Sequence, residues 1–284
     1  MNMVDIGIVN YFNGAELARC VQSVLVHGEG VISSVRIVNN GESDSSMLNG
    51  LTVWPLVEVI EAGANLGFSR AVNLGVSKGD APFLCLVNPD SEFTNEWFQQ
   101  ATSLMENDSE IAIIAPKIIN PDGSPQTNFG LFPNVKTMLF EMLRLSKLPL
   151  LRKFIPAFHL PTETIFRPQW ISGSILMTKR CIFEAMGGLD ETFFMYLEDV
   201  SYAKRCSEIF FKVKVIDLTA AIHRGTHKST RTSVKYSHEA WAVYCKKEGL
   251  SLALCLIGKL SLLISSVKVR ILSRDFKRTG SYES

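Results

Sequence analysis

Three short stretches hold residues whose types and spacing could do chemistry. In "LCLVNPDSE", residues 84–92, an apolar run stops at Asn88-Pro89-Asp90. Pro89 offers no N–H to a ladder and biases Asn88 toward an extended backbone, so a strand ends there with two polar side chains free to face a crevice. Asp90 is then a hard oxygen ligand suited to Mg²⁺ or Mn²⁺ already holding a diphosphate, because these ions keep few protein carboxylates. The same tripeptide is good chemistry for a plain turn. "AGANLGFSRAVNLGVSKGD", residues 62–80, places a Gly-rich start before an amphipathic helix. Backbone amides at such a start can meet phosphate, and Arg70 adds a cation in the first turn. It matches neither GxGxxG nor a Walker motif, which leaves a dinucleotide enzyme or an ATPase unsupported. In the third stretch Glu198 and Asp199 adjoin at the expected start of a helix running through Arg205, after the aromatic run Phe193 to Tyr196. Acids there can simply offset the helix dipole. Beside aromatic rings a carboxylate is also partly desolvated, which raises its basicity toward general-base work.

These residues need a scaffold, and the pattern around them supplies one. "VDIGIVN", "VRIVNN", "LVEVIEA" and "APFLCLVN" alternate with helical patterns near Ala15 to Val26, after Ser43 and from Phe68 to Ser77. Strand and helix alternation of this kind predicts a parallel sheet covered by helices, an α/β nucleotide-binding layer. Ligands of open sheets lie beyond the carboxyl ends of the strands. The candidates there are Asn10 and Tyr11, Asn39 and Asn40, Ala62 to Asn65, and Asn88 to Asp90. Further on, Trp170 to Met177 reads as one strand with small residues, followed by a short helix and a Gly187-Gly188 stop.

The chain has 284 residues, 46% of them hydrophobic, enough for a full core in one domain with a tail. A net charge of +1 gives no global field that selects nucleic acid. Six scattered cysteines, none in a CxxC pair, suit reduced thiols in a cytoplasmic protein. The N-terminus "MNMVDIGIVNYF" lacks the basic start and apolar core of a signal peptide. From Tyr244 to Ser284 the chain carries eight Lys/Arg against three Asp/Glu. "MLFEMLRLSKLPLLRKFIPAF", Met138 to Phe158, and "LSLALCLIGKLSLLISSVKVRILSRDFKR" after it both mix apolar and basic residues. Lys259 interrupts the second run, which is short of the ~20 residues of a span, so it reads either as an interfacial helix or as a core-packing helix with solvated lysines.

"IVNYFNGAELARCVQSVL", "NLGFSRAVNLGV", "FLCLVNPDSEF", "WISGSILMTKR" and "GGLDETFFMYLEDVSYAKR" follow one another in the order and approximate spacing of family 2 glycosyltransferases. The chain resembles the rhamnosyltransferase-like branch of that family over roughly Val4 to Thr226. The resemblance implies a GT-A fold, a nucleotide-sugar donor, a divalent metal and inversion at the anomeric carbon. Asn88-Pro89-Asp90 stands where the family has its DXD-type metal motif, and Glu198-Asp199 where it has its catalytic acidic pair. It thereby implies Asp90 as the metal anchor and Asp199 as the base, with Glu198 the alternative base. His223 matches a family position near the diphosphate and metal, and His227 is a further candidate. Two positions depart from the pattern: Asn39 replaces a common Asp associated with the donor base, and Ser201 replaces a further acid after the pair.

The expectation is an α/β protein of GT-A fold, a Rossmann-like, mostly parallel sheet flanked by helices, over residues 1–243, with a basic, apolar helical tail over 244–284. The expected activity is inverting, metal-dependent transfer of a sugar, with dTDP-rhamnose favoured by the resemblance. A polyprenyl-diphosphate-linked saccharide is the expected acceptor, at the inner face of the cell membrane, where an anionic surface would hold the protein peripherally. Donor contacts are expected from Asn10, Tyr11, Asn39, Asn65, Arg70 and Asn88, and Mg²⁺ or Mn²⁺ at Asp90 and His223. A UDP-hexose or UDP-N-acetylhexosamine transferase of the same fold, or a nucleotide-sugar-binding protein without transfer activity, are the alternatives.

Overall fold

The computed structural model describes residues 3–12, 14–41, 45–134, 168–225, 231–260 and 263. The segment Met138–Phe158, His227 and the basic residues beyond Lys259 lie outside them.

The predicted alternation is present. Strands β1 (Val4–Asn10), β2 (Ile32–Asn39), β3 (Val57–Glu61) and β4 (Phe83–Val87) alternate with helices α1 (Gly14–His27), α2 (Ser45–Leu51) and α3 (Phe68–Val76). They form a parallel half-sheet in the order β3-β2-β1-β4. Every residue of β4 is buried, as a strand covered on both faces requires. The second half is mixed. It comprises β5 (Ser91–Phe93), β6 (Ile111–Ile119), β7 (Pro125–Gln126), β10 (Ile175–Lys179) and β11 (Lys212–His223). β10 lies antiparallel between β4 and β6, β11 runs parallel to β6, and β5 pairs antiparallel with the end of β11. Among the described residues the sheet has nine strands, and a separate pair joins β8 (Phe129–Gly130) to β9 (Trp170–Ile171).

The single strand expected over Trp170–Met177 is thus two, broken at Ser172-Gly173-Ser174. Three backbone groups of the break have partners in other elements: Ser172 N–H donates to Asn128 O, Gly173 N–H to the Asp199 carboxylate, and Ser174 O accepts from Asn88 N–H. Helix α4 (Phe98–Asn107) covers one face of the sheet with α1, where Phe93, Trp97 and Phe98 cluster. On the other face α3 packs with α5 (Arg180–Ala185), α6 (Glu198–Glu208) and α7 (Arg231–Lys247).

At the amino ends of the parallel strands, buried Asp5 gathers the chain. Its Oδ2 accepts from Arg180 at 2.6 Å and from Ala81 N–H at 3.2 Å, its Oδ1 accepts from Ser34 at 2.5 Å, and Arg36 lies 3.5 Å away. Arg180 also donates to Ala81 O and Val76 O, which ties the end of β10 to β1 and α3.

The expected boundary between residues 243 and 244 falls inside α7, because Trp241, Tyr244 and Cys245 are all buried in the second core. Helical residues 252–260 return onto it: Leu254 is buried there, and Trp241 Nε1 donates to Cys255 O at 3.1 Å. Among the described residues no helix is long and apolar enough to cross a membrane.

Candidate active site

Parallel register sets Asn10 beside Asn39 and Asn39 beside Glu61, so three strand ends present polar groups in a row. Asn39 Nδ2 donates to Glu61 Oε2 at 2.8 Å, and its buried Oδ1 has no hydrogen-bond partner among the described residues. The Glu61 bond fixes which way the amide faces, leaving an acceptor to offer. Asn10 is buried, and its carbonyl accepts from Asn40 N–H. Asn40 accepts from Leu66 N–H and donates to Asn65 Oδ1, and Asn65 in turn accepts from Gly67 N–H at 3.0 Å. Asn65 therefore organises the loop into α3. Tyr11 is exposed and packs edge-on against Phe12, with ring centroids 4.6 Å apart.

The start of α3 differs from the expected phosphate cradle in two respects. Phe68 N–H already donates to Phe194 O at 2.7 Å, and Arg70 lies 3.5 Å from Glu191. Gly67, with φ 81°, allows that contact, since a Cβ there would stand 2.5 Å from Phe194 O. Asn73, which sequence reasoning passed over, clips the Gly187–Glu191 loop to α3. It donates to Leu189 O at 2.8 Å and accepts from Leu189 N–H at 2.9 Å.

That loop leads to the acidic pair. Tyr196 and Leu197 both have positive φ, 74° and 65°, a conformation that costs energy in residues other than glycine and marks a constrained approach to α6. Asp199 is fixed by two backbone donors, Gly173 N–H to Oδ2 at 2.9 Å and Val200 N–H to Oδ1 at 2.8 Å. Burial pushes its carboxyl above the usual range despite these bonds. Glu198 is pushed well above that range, first by burial and then by the neighbouring Asp199 charge, and its Oε2 has no partner among the described residues. Tyr196 is also raised, by burial and by the Glu198 charge. The pair is a fixed carboxylate beside a deeper one that resists ionising.

The Asn88-Pro89-Asp90 corner meets β11 and the 172–174 break. Asn88 N–H donates to Ser174 O at 2.9 Å, and Asp90 O accepts from Arg224 N–H at 3.0 Å. The corner is also a turn, with Ser91 N–H donating to Asn88 O. His223 Nε2 lies 3.2 Å from Asp90 Oδ1 and 3.4 Å from Asn88 Nδ2, while its Nδ1 faces Gln126 Oε1 at 2.9 Å. With Gln126 Oε1 accepting from Nδ1, Nε2 is the ring nitrogen turned toward the Asp90 carboxylate and the Asn88 amide. Ligands adjacent on an octahedral ion with ~2.1 Å bonds lie ~3 Å apart, so Asp90 and His223 fit Mg²⁺ or Mn²⁺. No group of three or more His, Cys, Asp or Glu gathers among the described residues, so the remaining positions would fall to diphosphate oxygens and water. Gln126 sits on a two-residue strand and gave no sequence signal.

The structure thus brings Asn88, Asp90 and His223 into contact, joins them to Asp199 through residues 172–174, and sets Asn10, Asn39 and Asn65 along neighbouring strand ends. Polar strand ends, the Asn88–Asp90 corner with His223 and the buried acidic pair gather beyond the carboxyl ends of an α/β sheet, where ligands of such sheets bind. The comparisons agree: residues 5–170 match the model of glycosyl transferase family 2, and the chain belongs to that family. It is a glycosyltransferase. It is 26% identical over 251 residues, 81% of this chain and 78% of the relative, to the N-acetylglucosaminyl-diphospho-decaprenol L-rhamnosyltransferase of Mycobacterium tuberculosis. It is 25% identical to the low-salt glycan biosynthesis hexosyltransferase Agl10 of Haloferax volcanii, covering 82% of this chain and 71% of that protein. Among solved structures it superposes on S. aureus TarS 1-349 with a TM-score of 0.54 at 10% identity, covering 86% of this chain and 65% of that one. That likeness concerns the fold.

Proposed function

We propose that the chain transfers L-rhamnose from dTDP-rhamnose to a polyprenyl-diphosphate-linked saccharide at the cytoplasmic membrane face, during assembly of a bacterial surface polysaccharide. The observation that carries the reading is the similarity, spanning 81% of the chain, to a rhamnosyltransferase whose name specifies a lipid diphosphate acceptor. Asp199, held by Gly173 and Val200, accepts the proton of the acceptor hydroxyl as that oxygen attacks the anomeric carbon. The new carbon–oxygen bond forms opposite the bond to the leaving diphosphate, which breaks with its electron pair on the phosphate oxygen, and the anomeric centre inverts. Glu198 keeps a second carboxyl beside the base and is the alternative acceptor of that proton. Asp90 and His223 would hold a Mg²⁺ or Mn²⁺ ion, whose charge would offset that of the departing diphosphate. Asn39 Oδ1, oriented by Glu61, suits the imide N–H that thymine and uracil share. Asn10, Tyr11, Asn65, Asn88 and Arg70 line or support the donor side, with Arg70 leaving Glu191 to reach a phosphate.

A UDP-hexose donor is the second reading, favoured by the similarity to a hexosyltransferase. A panel of dTDP- and UDP-sugars, scored by nucleoside diphosphate release and by label in a lipid extract from membranes, separates the two. Turnover with dTDP-rhamnose alone is the expected result. Turnover of UDP-sugars only would replace the donor, and binding without turnover would make the protein a nucleotide-sugar binder.

A further inference from the structure

The helix at residues 252–260 has two faces of different character. One is anchored: Leu254 and Gly258 are buried, and a Cβ at Gly258 would collide with the Trp241 ring at 2.1 Å. On the other, Leu252, Leu256 and Leu260 are 75%, 55% and 50% exposed. Steps of four keep these leucines on one stripe, and exposed Lys259 stands beside it. A single exposed leucine is ordinary, but a row of them on a helix already fixed to the core is an amphipathic pattern turned outward.

We propose that this stripe is a lipid-contact face that seats the enzyme on an anionic membrane surface. The proposal rests on the reading of the acceptor as lipid-linked, which brings the reaction to such a surface. Charge selects the occupant. From Lys259 to Arg278 the sequence carries Lys259, Lys268, Arg270, Arg274, Lys277 and Arg278 against Asp275 alone. Lys259 beside the apolar face, and the basic sequence that follows it, match anionic headgroups in charge, with leucines entering the acyl boundary and the Lys259 stem lying along it. A second copy of the chain is a poorer occupant, since three leucines fall well short of the ~800 Å² per partner that stable association buries. Among the described residues no helix is long and apolar enough to cross a bilayer.

The test uses the full chain and vesicles without any polyprenyl lipid, so that lipid binding is read apart from the acceptor. Vesicles of phosphatidylcholine with phosphatidylglycerol should bind the protein at low salt, and phosphatidylcholine alone should bind it weakly. The variant Leu252→Ser/Leu256→Ser/Leu260→Ser should bind the anionic vesicles at least ~10-fold less while keeping the wild-type melting point and donor affinity. Leu254→Ser, on the anchored face, should instead lower the melting point. Wild-type indifference to anionic vesicles, or a triple variant that binds them as wild type does, overturns the proposal. So does a dimer in sedimentation that the triple variant abolishes, because the stripe then pairs two copies. If vesicles bind as expected but lipid-linked acceptors accept no sugar, the acceptor reading fails and the lipid face stands.

Discussion

Asp5 and Glu198 are buried to a similar degree, 2% and 6% exposed, yet their surroundings differ in kind. Asp5, near the amino ends of the parallel strands, has two arginines, a serine hydroxyl and a backbone N–H around it. Glu198, beside the crevice, has a like charge for a neighbour and one oxygen without a partner among the described residues. The difference teaches where this fold uses charge to hold itself together and where it tolerates an unmatched acid. A buried carboxylate left unmatched resists ionising, which costs stability and raises basicity, and such sites cluster where chemistry is done. On the proposed function the amino edge is a clamp and the carboxyl edge a workplace.

The sharpest way to break that division is to change the crevice and look for a loss of stability. Asp90→Asn should lower turnover by ~10³-fold, about 4 kcal/mol in the barrier, with metal-dependent donor binding weakened and the melting point close to wild type. Steady-state kinetics across a Mg²⁺ or Mn²⁺ titration and a thermal scan read both quantities. Unchanged activity at limiting metal would remove Asp90 from the metal role.

The converse change is at the clamp. Asp5→Asn takes from buried Arg180 the carboxylate 2.6 Å away, while Arg36 keeps Glu58 at 3.2 Å, and should destabilise by about 3 kcal/mol in urea unfolding, while the folded fraction keeps its turnover number. A stability loss under ~1 kcal/mol would mean that the arginines reach water once Asp5 is gone.

Glu198→Gln gives the smallest and most specific effect. The native carboxyl titrates higher than the unfolded one, so the folded state holds more protons and wild-type stability falls as pH rises from the ordinary carboxylate range through the elevated native value. Glutamine has no such dependence. The variant should therefore melt higher than wild type at neutral and alkaline pH, with the advantage vanishing at acid pH. A variant less stable at neutral pH would mean that Glu198 has a charge partner and that the two edges are alike.

Much of the parallel half-sheet was legible, because β1, β2 and β4 are buried runs that end in polar residues and α3 has a clear apolar face. The Asn88–Asp90 corner was legible for the same reason, through Pro89. The antiparallel insertion of β10 between β4 and β6 was not, since a five-residue strand carries no sign of direction or neighbours. Nor could local pattern reveal the Asp5–Arg180 pair, 175 positions apart, the Glu61 hold on Asn39, or the support of His223 by Gln126. Each depends on tertiary placement of an unremarkable polar residue. The 172–174 break is intermediate: its small residues were visible, but its reason, a backbone N–H given to Asp199, lies in another element.

The central claim is that this crevice moves a sugar with Asp199 as the base. The most direct measurement is nucleoside diphosphate release by Asp199→Asn at saturating acceptor, alongside its donor affinity by calorimetry. Asparagine keeps the shape and accepts from one of the two backbone donors, Gly173 or Val200, but cannot take the hydroxyl proton. Release should fall by ~10²-fold or more with donor affinity within about 2-fold of wild type. Release within about 3-fold of wild type, with Glu198→Gln the more damaging change, would contradict the assignment and move the base to Glu198.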